Sequence, residues 1–581
     1  MAAQKLLKRS PHFTTQSRRH PGLCSKLTDV PAHPDAPAST IIRDAIDLRR
    51  FPWIRPLVSA YSTDFASVAN LFSGNPADPA AWTQTLARVQ QTPRDRAGLA
   101  RILGAQLERR GAPAHARAAA TRLADRETVA IVTGQQAGLF GGPLYTLLKA
   151  VTAIRLARKV SARHGIAAIP VFWVEAEDHD WEEVRTCRVL DADLSLREIS
   201  LDALEGAGTR PVSSLVIDDG IGDALGAIEQ ALPPTEFTAE LMTRLRAHYR
   251  PGQRMGTAFA SWLDDLLGRY GLVVFEAADP AAKPLVASLF SKELDAPCRT
   301  THFAKTTGDA MRQLGHEPQV EPGDDSVALF YMGDGDRVSI KRRDDGYAIG
   351  DVVRPLADVQ QEAAEHPERF SPNVLLRPLV QDRLFPTVCY VAGPSELAYQ
   401  AQLGAIYKEF GVEMPLLYPR ANATLLDSAA VRFLEKYQLP LESLQPHDES
   451  ALNRLLQSQL PPGLEDGFVA TADDVRARVE ALKVAITSVD PTLAGAADTT
   501  VDRMQETLKH LHAKVISASK RKDDTLRRQF TRTQALAFPE GHPQERIVDL
   551  AFFLNRYGQA LCDRLIEGLP LDMGTHYIVT P

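Results

Sequence analysis

The sequence predicts an α/β fold in which parallel βαβ units carry inserted segments and an antiparallel helical coiled coil follows near the C-terminus. Three observations predict it. A strand, a glycine-rich loop, a helix and a second strand follow one another between residues 128 and 174; the alternation returns near 262–275 and 385–418; and apolar residues keep an a/d spacing over 475–518. At 581 residues the chain exceeds one hydrophobic core, so roughly two to four domains are expected.

The first forty residues place Lys5, Lys8, Arg9, Arg18, Arg19 and Lys26 among Pro, Ser, Thr and His without a periodic apolar pattern, which reads as a disordered extension or an over-long start rather than a transit peptide. Apolar patterning begins near Leu48, with helices through about Arg122. Thr128-Val-Ala-Ile-Val-Thr133 reads as a buried parallel strand and meets Gly134-Gln-Gln-Ala-Gly-Leu-Phe-Gly-Gly-Pro143. Leu147, Leu148, Val151, Ile154 and Leu156 then recur at helical spacing, and Ala168-Ile-Pro-Val-Phe-Trp-Val174 is the second strand. Such units place ligands at the carboxyl ends of their strands.

Further along, Leu272-Val-Val-Phe275 is a strand, and residues 385–391 form another before Ala392-Gly-Pro-Ser395. Ser395 and Glu396 open a helix expected to run through Phe410, where Gly411 ends it, and Ala392-Gly-Pro-Ser-Glu396 reads either as that helix's cap or as a ligand-facing turn; residues 414–418 suit a further strand. Two stretches look inserted, the second with a hairpin around Gly333-Asp-Gly-Asp336. Val475, Val479, Leu482, Ile486 and Val489, then Val501, Met504, Leu508, Leu511, Val515 and Ala518, flank the turn signal Asp490-Pro491, which marks an antiparallel helical hairpin. Residues 547–569 read as a final amphipathic helix. The expected organisation is an extension over 1–45, core over 46–187, an insertion over 188–255, core over 256–300, an insertion with a hairpin over 301–370, core over 371–427, a helical coiled-coil domain over 428–540, and 541–581 returning to the core.

Lys plus Arg number 66 against 73 Asp plus Glu, a formal charge of -7, which disfavours a general nucleic-acid binder. The five cysteines are scattered, with no CxxC pair, so a reducing cytoplasm fits and a zinc module or disulfide framework does not. No apolar run suits a membrane span.

Four stretches are candidates for chemistry. The loop of Gly134, Gln135, Gln136, Gly138, Gly141 and Gly142 suits backbone approach to an anion, or else is a tight strand-to-helix turn. It is neither GxGxxG nor a Walker A motif. Glu175-Ala-Glu-Asp-His-Asp180 follows a strand end: His179 suits a general base and the carboxylates a cation, unless Asp178 or Asp180 only caps the next helix. In Phe370-Ser-Pro-Asn-Val-Leu-Leu-Arg-Pro-Leu379, followed by Gln381 and Asp382, Arg377 needs an anionic partner, a substrate carboxylate or a structural acid. The basic stretch Lys514, Lys520, Arg521, Lys522, Arg527, Arg528 and Arg532 reads by default as a solvated helix face.

Val132-Thr-Gly-Gln-Gln-Ala-Gly-Leu-Phe140 with Gly142-Pro-Leu-Tyr145, Pro170-Val-Phe-Trp-Val-Glu-Ala-Glu-Asp-His-Asp180 and the 370–379 string together resemble the cysteine-adding enzymes of bacillithiol synthesis, the BshC family. Their order, the coiled-coil segment after them and Pro543-Gln-Glu-Arg546 match it too, and the resemblance spans about residue 48 to the C-terminus. It implies a Rossmann-like core with connecting-peptide insertions, a coiled coil used for homodimerisation, and a cytoplasmic reaction joining the cysteine carboxyl group to the amine of glucosaminyl malate.

A free carboxylate acylates poorly, so activation is expected, with ATP and Mg2+ as the co-substrate although no KMSKS-like loop is evident. On that footing the loop glycines would cradle a nucleotide or carboxylate, with Gln135 and Gln136 orienting a substrate. His179, flanked by Asp178 and Asp180, would be the base or hold a metal; Glu175, Glu177, Asn373, Arg377 and Gln381 would bind substrate, Arg377 taking the malate carboxylates. Two other readings compete: a metal-dependent hydrolase using the 175–180 cluster, weakened by the lack of a second nearby histidine, and a non-catalytic synthetase-like scaffold.

Overall fold

The computed structural model describes residues 41–333, 335–459, 463–522 and 524–581, leaving aside the side chains of 41 and 519–522. Its centre is a five-stranded, wholly parallel sheet of β1 (Val129–Gln136), β2 (Ala168–Glu175), β3 (Val273–Glu276), β4 (Thr387–Ala392) and β5 (Leu416–Pro419), in spatial order β5-β4-β1-β2-β3. These strands are nearly continuous apolar runs because both faces are covered: Ala130, Val132, Val171, Trp173 and Phe275 enter one apolar cluster, Val129, Ile131 and Ala168 another. Helix α1 (Leu144–His164) packs on β1 and β2. The chain leaves β1 toward β2 on one side, whereas β4 continues to β5 on the other, so a crevice opens between the carboxyl ends of β1 and β4.

The inserted stretches fold as separate layers. One contains the antiparallel pair Thr186–Leu190 and Leu196–Ser200 with two helices. The other is an antiparallel sheet in which Ser326–Tyr331 pairs with Val338–Arg343, the expected hairpin; Asp334 of its turn lies outside the described residues. Two short helices lead back to the crevice: α2 (Arg377–Leu384) and α3 (Pro394–Gln400). Beyond β5, α4 (Leu464–Val489) and α5 (Ala494–Lys522) form the antiparallel coiled coil around Asp490-Pro491, and α6 (Asp524–Ala537) returns to the body.

Three expectations are corrected. Regular structure starts before Leu48, and inside the expected 1–45 extension: Ile41–Asp47 is a strand, antiparallel to the C-terminal strand Thr575–Thr580, which runs parallel to Asn422–Leu425. The extension's first forty residues lie outside the described ones. The helix expected from Ser395 through Phe410 breaks between α3 and Gly404–Phe410, where fully buried Gln402 bonds the backbone of Gln319 and Val320. The final helix is two, Leu550–Tyr557 and Ala560–Gly568, parted at Gly558, whose φ of 66° no other residue adopts cheaply.

Candidate functional site

The crevice at the strand switch point is a cavity of about 290 Å3 lined by Gly134, Gln135 and Gln136 of β1, Glu175 of β2, Arg377 and Gln381 of α2, and Glu396 and Gln400 of α3. Parallel register explains the first group: Gln135 pairs with Val174 and Gln136 with Glu175, so both glutamines stand beside the acidic strand end. Gly134 is required there, because a Cβ would lie 2.7 Å from the Trp173 carbonyl oxygen.

Lys149, one turn into α1 and almost fully buried, is the hub. Its Nζ donates to the Gly134 carbonyl (2.8 Å) and Gln135 Oε1 (2.9 Å) and pairs with Glu396 Oε2 at 2.6 Å. The same carboxylate accepts from Gly393 N–H and Tyr390 O–H, each at 2.6 Å. Burial alone pulls the Lys149 ammonium down and pushes the Glu396 carboxyl up; the pairing with Lys149 holds the carboxylate below its ordinary value. Arg377 meets Glu175 at 3.4 Å and Tyr399 O–H at 3.4 Å, and Glu175 also accepts from Trp173 Nε1 (3.1 Å). Arg377 is therefore held by a structural acid, one of the two readings its sequence left open.

A third cation comes from the end of β5. Arg420 forms a two-pronged ion pair with Glu545 and lies by the Tyr145 ring. The 543–549 segment that brings Glu545 and Arg546 to the crevice is clasped by the glycine-rich loop: Leu144 N–H donates to Val548 and Leu550 N–H to Gly142.

That clasp corrects the expected cradle. Gly138, Gly141 and Gly142 do not line the crevice; Gly141, at φ 104°, packs where a Cβ would meet Trp262 Nε1 at 2.9 Å, and Gly142 approaches Thr146. The loop spends its glycines on packing the C-terminal segment rather than on presenting N–H groups. Of the acidic string, only Glu175 lines the crevice. Glu177 turns inward onto Lys283, its carboxyl pushed up by burial. Asp178, His179 and Asp180 line a separate open depression, with Arg337 reaching Asp178 at 3.3 Å and His179 Nδ1 at 3.4 Å. Asp180 Oδ1 caps the short helix Trp181–Val184 through Glu183 N–H. Asn373 closes the turn before α2, accepting from Leu375 and Leu376 N–H, and stays off the crevice. Gln381 lines it, with its amide on Asp382.

Among the described residues no group of three or more His, Cys, Asp or Glu could hold a metal ion, and no helix is long and apolar enough to cross a membrane. The basic stretch is in part structural: Arg532 pairs with Asp427 and Arg527 with Glu449, while the Lys520, Arg521 and Lys522 side chains lie outside those described.

Sequence reasoning missed Lys149, Glu183, Tyr390, Tyr399, Gln400 and Arg420 as crevice residues. One signal was readable: Lys149 sits among Leu147, Leu148 and Val151 on an apolar helix face. Arg420 carried none, since its partner is 125 residues away.

The family models decide the affiliation. The N-terminal Rossmann-like domain model of bacillithiol biosynthesis BshC matches residues 44–421, and the C-terminal coiled-coil domain model of BshC matches residues 423–581. The chain belongs to the BshC family. A relative from Salinibacter ruber named "Putative cysteine ligase BshC" is 35% identical over 528 residues, covering 89% of this chain and 95% of its own length. One of the same name from Koribacter versatilis is 34% identical, covering 91% and 98%, and another from Symbiobacterium thermophilum 32%, covering 83% and 89%. The BshC match joins the Rossmann-like core and the coiled coil in one chain, as the structure does.

Proposed function

We propose that this BshC-family chain is a cytoplasmic ligase that joins the carboxyl group of cysteine to the amine of glucosaminyl malate in the switch-point crevice, with Mg-ATP activating the carboxyl group. The observation that carries the reading is the convergence of β1, α1, α2, α3 and the 543–549 segment on one polar cavity at the strand carboxyl ends, in a chain of this family. Arg546, which has no acid of its own, joins Lys149, Arg377 and Arg420 in a wall of cationic donors suited to an anionic substrate group, and Gln135 and Gln136 stand where they can orient one. With the glycine cradle given over to packing, a nucleotide would rely on that wall, with Mg2+ arriving on the phosphates. We assign the coiled coil to homodimerisation because Leu482, Val484, Val489, Met504 and Leu511 are exposed along it.

The test is a mass-spectrometric assay of purified protein with cysteine, glucosaminyl malate and Mg-ATP, beside the same mixture lacking ATP. An amide-mass product only with ATP supports the reading. Product without ATP removes the activation step, and no product in either removes the ligase assignment.

A further inference from the structure

Every crevice cation but one has its own acid: Lys149 has Glu396, Arg377 has Glu175 and Arg420 has Glu545. Arg546 makes no ion pair or side-chain hydrogen bond among the described residues, although its backbone is anchored between buried Glu545 and Val548, whose carbonyl accepts from Leu144 N–H. Among the crevice acids, Glu183 has no ion pair among the described residues; only the Gln136 amide bonds it. Two acceptors are also unused: Gln400, 1% exposed, and Gln136 each keep a buried amide oxygen without a donor. The two buried oxygens are costly unless a donor completes them, whereas Arg546 and Glu183 are exposed and open to a ligand.

We infer that Arg546 and Glu183 are the specificity pair of the crevice, Arg546 taking a carboxylate and Glu183 the amine of one acceptor molecule. This rests on the ligase reading and deepens it, since glucosaminyl malate carries both groups. Arginine suits the task because its planar fork meets a carboxylate through two N–H donors. The unfilled Gln136 and Gln400 oxygens suit the N–H or O–H donors of an amino sugar. Desolvation by the crevice wall pushes the Glu183 carboxyl above its ordinary range, against the pull of the Gln136 amide, which makes it a better proton acceptor. As the amine nitrogen bonds to the carbonyl carbon of a cysteinyl mixed anhydride, the C–O bond breaks, the leaving oxygen keeps the electron pair, and the nitrogen's proton passes to Glu183 and then to water.

Titration calorimetry on the full chain tests this with three probes: glucosaminyl malate, malate (no amine) and methyl glucosaminide (no carboxylate). Arg546→Ala should weaken glucosaminyl malate and malate by roughly 10- to 100-fold and leave methyl glucosaminide unchanged. Glu183→Gln should weaken glucosaminyl malate and methyl glucosaminide and leave malate unchanged. Both positions are surface-accessible, and unchanged melting of the variants controls for folding. Wild-type binding matched by both variants, or equal loss of all probes, overturns the pair while the ligase reading stands. Wild type binding none of the probes overturns both.

Discussion

Arg420 and Glu545 lie 125 residues apart and meet as a two-pronged ion pair at 2.6 and 3.0 Å, their side chains 3% and 4% exposed. The contact ties the end of β5 to the segment that carries Arg546, so it joins the last core strand to the chain that completes the crevice. Glu545 also accepts from Ala423 N–H (3.1 Å), and burial would raise its carboxyl if Arg420 did not hold it low.

Removing one partner should therefore be expensive. Glu545→Gln leaves a buried guanidinium uncompensated, for which about 3–5 kcal/mol is typical. The apparent melting temperature should fall by several degrees, and the double variant Arg420→Met/Glu545→Leu should recover part of the loss. A melt of the single variant equal to wild type would show that the pair does not stabilise the fold.

Stability should also depend on pH through Asp549. Burial raises its carboxyl to about 7, against the Arg188 N–H and the Cys187 thiol that bond it. The folded state then keeps a proton that the unfolded chain releases near pH 4, so this group's contribution to stability is full below about pH 4 and declines as pH rises toward 7. Asp549→Asn should flatten that slope in melting curves recorded from pH 4 to 8, and an unchanged slope would remove Asp549 as its source.

The structure separates His179 from the crevice and puts Glu183 in it. His179→Ala should keep turnover within a few-fold of wild type in the mass assay, whereas Glu183→Gln should lower it by on the order of 100-fold or more. The reverse ranking would return the base to His179 and the open depression beside Arg337.

The coiled coil makes a separate prediction. Leu482 and Leu511 are 56% and 50% exposed, large apolar side chains that a partner helix would cover. Light scattering should give twice the chain mass for wild type, and Leu482→Glu/Leu511→Glu should give a single chain without loss of the cysteine-ligase turnover, since neither residue lines the crevice. Wild type at the single-chain mass would assign the hairpin to an intramolecular role.

The sequence by itself determined the parts whose physics is local. Alternation of buried strands with amphipathic helices specified β1, α1 and β2, because a parallel strand covered on both faces must be apolar throughout. The a/d spacing on either side of Asp490-Pro491 specified α4 and α5, and Asp180 carried a cap signal that the structure bears out. The tertiary structure alone decided which charges share a cavity. Arg377 met Glu175, Glu177 met Lys283, and Arg420 met Glu545 across long chain separations, and burial left each cation dependent on a partner that no local pattern names. The same limit explains the glycine-rich loop. Its composition announces a tight turn, but whether its backbone faces a ligand or the 548–550 segment depends on how a distant piece of chain packs against it.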